Sequence, residues 1–218
     1  MEFNRSLLLI LLVGVTAGFI APEASEFING DKNGSSQEWR SQVENRTPEK
    51  ATFAGGCFWC IEEVYQGEKG IESAVSGFTD GKASTAEYRL VASGETEHRE
   101  AVMVEYYPSL IDYRELLDIY WRSIDPTDPG GQFADRGFQY TTAIYAHDER
   151  QYRLAKQSKE NLSNSGKFDE EIVTEVKNFT DFYRAKDSQQ NYSVKNTYQY
   201  RAYKRGSGRT GYIERVWK

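Results

Sequence analysis

The chain carries only two cysteines, and both stand in one six-residue stretch, Gly55-Gly56-Cys57-Phe58-Trp59-Cys60. A short alternating run, Lys50 to Ala54, precedes it, and a helix-like segment, Ile61 to Tyr65, follows. The stretch must therefore turn a strand into a helix, and its two glycines allow the close backbone approach that such a turn needs. A cysteine on the first turn of a helix faces unpaired N–H groups and the positive end of the helix dipole, which favour thiolate over thiol. The expected consequence is a Cys57 pKa lowered from about 8.5 into the range of about 3.5–7.5. Cys60 returns to the same helix face, within reach for a disulfide. The pair reads as a nucleophile and its resolving partner. A structural disulfide or a pair of buried thiols is the bland alternative, but so short a disulfide closes almost no loop and hardly restricts the unfolded chain. Zinc fits poorly, because His98 and His147 stand far from any ligand spacing. No metal site is expected.

Composition sets wider limits. The 218 residues suit one or two domains. A hydrophobic content of 39% with 15 Tyr is enough for a packed, partly polar core. A net charge of −6 gives no reason to expect nucleic acid, and Gly206-Ser207-Gly208-Arg209 is too short for a phosphate-binding loop. At the N-terminus, Arg5 precedes an apolar run from Leu7 to Ala21. That run is shorter than the roughly 20 residues of a membrane span and reads as a signal peptide over residues 1–24, with an uncleaved anchor as the alternative. Ala21 and Ala24 are the candidate cleavage sites, and no cysteine is there to carry a lipid. The expected location is the periplasm or cell envelope, free or anchored by this segment, and the cytoplasm if the segment is not a functional signal. Residues 25–49 are polar and read as a flexible linker. Residues 50–218 form the expected catalytic domain. There is no internal repeat.

Within that domain, strands are expected at Ala51–Ala54, Ile71–Phe78, Ala101–Tyr107 and Thr141–Tyr145, with another at Glu171–Lys177. Helices are expected from Cys57 to Gln66, around Ile111–Tyr120 with Asp112 as cap, and from Asp148 to Leu162. The order β-α-β-β-α-β is the split βαβ plan, a helix-covered and mainly antiparallel sheet. The basic residues of the tail, Lys204, Arg205, Arg209, Arg215 and Lys218, read as a solvated surface.

Gly-Cys-Phe-Trp opening a helix resembles the hallmark of the A-type peptide methionine sulfoxide reductases. With Cys60 inside the motif, the chain looks like the subgroup that keeps its resolving cysteine there. Further matches follow in family order: Gly77-Phe78-Thr79, Glu87-Tyr88-Arg89, Glu100-Ala101-Val102, Asp125-Pro126-Thr127-Asp128, Gly131 to Gly137, and Gln139-Tyr140. Phe182-Tyr183 and Gly206 to Arg209 continue the match, so that it runs over residues 50 to 218. The resemblance implies an α/β (α+β) two-layer sandwich with a ferredoxin-like core, extra helices and a C-terminal extension. It also implies thiol-dependent reduction of methionine-(S)-sulfoxide, in proteins and as the free amino acid.

By that resemblance Cys57 attacks the sulfoxide sulfur, and Glu100, its pKa raised by burial, protonates the departing oxygen. Tyr88 and Tyr140 bind the sulfoxide oxygen through their hydroxyls. Asp135 orients the site from behind, with a plain turn residue as its alternative. Phe58 and Trp59 form the apolar wall for the methyl group. A Cys57 sulfenic acid then condenses with Cys60, and a thioredoxin-like protein or other dithiol reduces the disulfide. No bound cofactor is implied, and a monomer is expected. Two departures stand out: Glu97-His98-Arg99 replaces Gly-His-Ala before the acid, and Ala185 to Gln190 lacks the family's histidine. Tyr183 and Tyr192 remain candidates for lining the cleft. Two other classes compete with this reading. A thioredoxin-type thiol–disulfide oxidoreductase also places C-x-x-C at a helix start, and an exported binding module would hold the cysteines as an inert disulfide.

Overall fold

The computed structural model describes residues 39–218, and the expected signal or anchor over 1–24 lies outside them. Strand β1 (Glu49–Gly55) leads into helix α1 (Phe58–Tyr65), followed by β2 (Ile71–Thr79), a short α2 (Tyr88–Ala92), β3 (Arg99–Tyr106) and α3 (Tyr113–Trp121). A two-stranded ribbon, β4 (Gly131–Gln132) and β5 (Asp135–Arg136), precedes β6 (Thr142–Ala146), α4 (Glu149–Ser163), β7 (Glu175–Asn178) and β8 (Tyr183–Arg184). Three helices follow: α5 (Tyr192–Lys195), α6 (Thr197–Gly206) and α7 (Arg209–Trp217). The main sheet runs β7-β6-β1-β3-β2-β8, antiparallel except between β6 and β7. Its four central strands stand in the order of the ferredoxin-like plan, the fourth beside the first and the third beside the second.

Side-chain alternation explains how the helices settle on one face. Ala51 and Phe53 of β1 and Val102, Val104 and Tyr106 of β3 all enter the core beneath the helices. The Phe53 ring stacks against Tyr65 of α1 at 5.3 Å and Tyr120 of α3 at 5.2 Å between centroids. Tyr65 donates to the Leu116 carbonyl at 2.9 Å and Tyr120 to the Ala54 carbonyl at 2.7 Å. With those hydroxyls satisfied, burial of each large ring contributes its full hydrophobic gain, roughly 1.5–3 kcal/mol. Asp112 closes the start of α3 in a capping box with Glu115. On the opposite face Ala54, Ala101, Ala143 and Tyr145 lie under Phe179 and Phe182.

Three expectations are corrected here. The flexible linker expected over 25–49 is packed from Trp39 onward. Trp39 and Val43 are buried against Tyr107, and Arg40 pairs with Glu72 at 2.7 Å. The strand expected at Glu171–Lys177 is the shorter β7. The stretch from Tyr192 to Trp217, for which no element was expected, is largely helical and returns across the front of α1.

Strand register decides where the chemistry gathers. Phe53 pairs with Val102, and Gly55 pairs with Thr142. The end of β1 therefore meets the beginnings of β3 and β6 at one edge of the sheet. Cys57 arrives there just past the end of β1, Glu100 at the start of β3, and Tyr140 in the turn before β6.

Candidate active site

Gly56 makes the turn into α1 with φ at +85°, and a β-carbon there would sit 2.6 Å from Cβ of Gln132 and 2.7 Å from Nη2 of Arg209. Only glycine fits both constraints. Cys57 is the residue preceding the first turn of α1 and is 6% exposed; Cys60 is 1% exposed, and both are free thiols. The two share a side-chain hydrogen bond.

Glu100 lies on the same face of β3 as Val102 and Val104, which aims its side chain beneath the helices. It is 1% exposed, and its Oε2 accepts the Phe58 N–H at 3.0 Å. Burial raises its pKa to about 8, and the Phe58 bond only partly opposes this. The carboxyl is therefore protonated near neutral pH, as a proton donor must be.

The lowered Cys57 pKa expected from its helix position is corrected. Burial, the hydrogen bond with Cys60 and the nearby Glu100 push the Cys57 thiol well above its ordinary value, with only a Tyr203 contact opposing. The first helical N–H, which would have faced a thiolate, is occupied by Glu100 instead. Desolvation outweighs the helix dipole. Cys60 moves the other way: its bond from Cys57 lowers it against the cost of burial, and Arg209, Tyr200 and Lys204 reinforce the shift. The resting pair shares its proton with the negative charge on the Cys60 side.

The other residues expected from the sequence surround this pair. Tyr88, opening α2, stacks on Phe58 at 6.0 Å and on Trp59 at 6.2 Å. Tyr140 comes from the single turn before β6. Both hydroxyls are pushed upward, first by burial and next by Glu100, and both sense Cys57, so the four groups are mutual neighbours. Phe58 and Trp59 divide in character. The Phe58 ring is fully enclosed, with Phe78 at 5.7 Å, whereas Trp59 is half-buried and stacks on Tyr192 at 3.8 Å and 9°. Asp135 on β5 accepts from the Tyr203 hydroxyl, which also reaches Cys57. Tyr183 packs its edge on His98 at 5.6 Å.

The sequence reasoning missed the contribution of the C-terminal helices. Tyr200 and Tyr203 lie on one face of α6 and reach Cys60 and Cys57 respectively. Their i, i+3 spacing in an otherwise polar helix was the available signal. The solvated reading of the basic tail is corrected for two residues. Arg209 is 1% exposed and donates to the Ser123 carbonyl at 2.5 Å and the Gly55 carbonyl at 3.0 Å; Lys204 pairs with Glu63. Gln189, where the family's histidine is missing, accepts the Trp59 indole N–H at 3.2 Å. Among the described residues no group of three or more His, Cys, Asp or Glu is placed to hold a metal ion.

Comparison with known proteins agrees with this geometry. The family model of peptide methionine sulfoxide reductase matches residues 49–218. The chain is 46% identical over 169 residues to the peptide methionine sulfoxide reductase MsrA of Bacillus subtilis, covering 78% of this chain and 96% of that one. It is 42% identical over 170 residues to the MsrA of Listeria monocytogenes, again covering 78% and 96%. The reduced form of Mxr1 from Saccharomyces cerevisiae superposes with a TM-score of 0.66 at 29% identity, covering 70% of this chain and 88% of the other. Methionine sulfoxide reductase A of Corynebacterium diphtheriae gives 0.62 at 27% identity, covering 70% and 77%. The chain belongs to the peptide methionine sulfoxide reductase A family. It is an oxidoreductase, and the thioredoxin-type and inert-module readings are set aside.

Proposed function

We propose that this chain reduces methionine-(S)-sulfoxide in proteins, and the free amino acid, by a sulfenic-acid route through Cys57 and Cys60. The observation that carries the reading is Glu100, buried and protonated near neutral pH beside the Cys57 thiol. The shared proton shifts onto Cys60, and the Cys57 sulfur attacks the sulfoxide sulfur. Glu100 delivers its proton to the oxygen, with Tyr88 and Tyr140 donating hydrogen bonds to it. Asp135 fixes Tyr203 beside Cys57, and the Trp59 edge meets the substrate methyl. Oxygen leaves as a Cys57 sulfenic acid, methionine departs, and Cys60 closes the disulfide with loss of water. With no third cysteine in the chain, an external thioredoxin-like protein or dithiol must attack this disulfide directly. The chain acts as a monomer without a bound cofactor. The apolar run from Leu7 to Ala21 supports export to the periplasm or cell envelope.

The test is turnover of a peptide carrying one defined sulfoxide epimer, with dithiothreitol as reductant. Reduction of the S epimer, and not the R epimer, to the methionine peptide is expected. Cys57→Ser abolishes it, because a hydroxyl is a far weaker nucleophile. With thioredoxin in place of dithiothreitol, Cys60→Ser forms one methionine per chain and is not recycled. Activity near wild type in Cys57→Ser would overturn the assignment.

A further inference from the structure

Arg209 is the least expected group near the thiols. Its guanidinium is enclosed, lies 4.6 Å from the centre of the Phe133 ring, and donates to two backbone carbonyls. Among the described residues no carboxylate lies within ion-pair distance of it. Lys204, the other cation near Cys60, is neutralised by Glu63, which also accepts from Tyr200 at 2.8 Å. An unpaired buried cation is costly unless an anion compensates it. The anionic candidates around Arg209 are Cys60 and Asp135, and Asp135 is engaged by Tyr203.

We infer that Arg209 is a positioning residue for the resolving step: its buried charge holds Cys60 as a thiolate while its two carbonyl bonds fix the Gly55–Gly56 turn that presents Cys57. The inference rests on the sulfoxide-reductase reading and names what drives its second half. In that step the Cys60 sulfur donates an electron pair to the Cys57 sulfenic sulfur. The S–S bond forms, the S–OH bond breaks, and the departing hydroxide leaves as water with a proton from Glu100, which the sulfoxide step left ionised and which is reprotonated as Cys60 ionises. Cys60 is oxidised and the sulfenic sulfur reduced. The other charged or titratable groups facing Cys60 are Cys57 just before α1, Glu100 of β3, and Tyr200, Tyr203 and Lys204 of α6, with Glu63 of α1 behind Tyr200 and Lys204. Arg209 from α7 is the one cation among them, within the described residues, without a carboxylate of its own.

The test isolates Cys60 in a Cys57→Ser background, where the introduced hydroxyl keeps a hydrogen-bond donor beside it, and follows thiolate ultraviolet absorbance against pH. Cys60 should be mainly thiolate at neutral pH, against a few per cent for a free thiol of pKa about 8.5. Adding Arg209→Gln, which keeps hydrogen-bond donors but removes the charge, should raise the midpoint by about one unit or more, and Arg209→Lys should restore most of it. With Cys57 present, the pH midpoint of disulfide closure should move by the same amount. The closure rate near pH 6 should fall only a few-fold, because a higher thiol pKa also makes the thiolate more nucleophilic. An ordinary thiol midpoint with Arg209 in place would overturn the inference, a result that needs no folded Arg209 variant. So would equal shifts from Gln and Lys, which would make Arg209 a packing clamp, and an unmoved midpoint in Arg209→Gln, which would make Asp135 its partner. None of these absorbance outcomes depends on sulfoxide turnover, so failure of the reductase reading registers separately.

Discussion

Glu100 shows how one buried side chain acquires its chemistry from strand geometry. A glutamate in Arg99-Glu100-Ala101-Val102 looks like a solvated strand end, yet alternation places it with Val102 and Val104 beneath α1. Burial then leaves its carboxyl protonated up to about pH 8. Glu100→Gln keeps the shape and can still donate a hydrogen bond, but it cannot deliver a proton. Methionine formation in a single turnover should slow by about 10²–10⁴-fold, the usual contribution of a general acid. In the wild type the rate should fall as pH rises through about 8, where the acid is lost. That alkaline limb should be missing from the Glu100→Gln profile. An unchanged rate in the variant would move the proton donor to Tyr88 or Tyr140.

At the scale of elements, the segment between β8 and α5 ties the C-terminal helices to the site mainly through polar bonds, with Ala185 its one buried apolar side chain. Gln190 is 4% exposed; it accepts the Ser76 N–H at 2.9 Å and donates to the Ser76 and Ala185 carbonyls at 2.8 and 2.9 Å. In effect its amide continues the β8 ladder along the edge of β2. Asn191 N–H then binds the Glu62 carboxylate, and Tyr192 comes to rest on Trp59. Gln190→Ala leaves the Ser76 N–H buried and unpaired, which should lower stability by about 1–3 kcal/mol. Faster hydrogen exchange at the Ser76 and Asn191 amides should accompany that loss, and unchanged exchange would mean the tie is not made. These contacts also explain what the sequence could and could not convey. The strands β1, β2, β3 and β6 and the helices α1, α3 and α4 were legible because local apolar periodicity and the Asp112 cap specify them. The helices α5 to α7 were not, because polar bonds spanning more than 100 residues hold them, such as Gln190 to Ser76 and Tyr200 to Glu63. Tyr88, Tyr140 and Glu100 were reached through resemblance, since nothing local marks one tyrosine among 15. The Cys57 pKa was misjudged because helix position is visible in a sequence and burial is not.

Across the whole molecule, the buried acid sets a conflict between activity and stability. The Glu100 pKa is about 8 in the folded chain, against about 4.3 when unfolded. Between those values the folded state retains a proton that the unfolded state releases, so stability falls as pH rises across that window. At about 1.36 kcal/mol per pKa unit the loss by pH 8 is on the order of 4 kcal/mol, a large part of the roughly 5–15 kcal/mol that holds a domain together. His147 acts at the opposite end. Burial lowers its pKa to about 4, so its contribution is lost as pH falls below about 6.5. Glu100→Gln removes only the alkaline limb. Its melting temperature relative to wild type should therefore climb steadily between about pH 5 and pH 8 and level off above. Paired thermal melts across that range provide the check. A difference that stays flat with pH would show that Glu100 is already ionised in the folded chain, and the proton for sulfoxide reduction would have to come from another group.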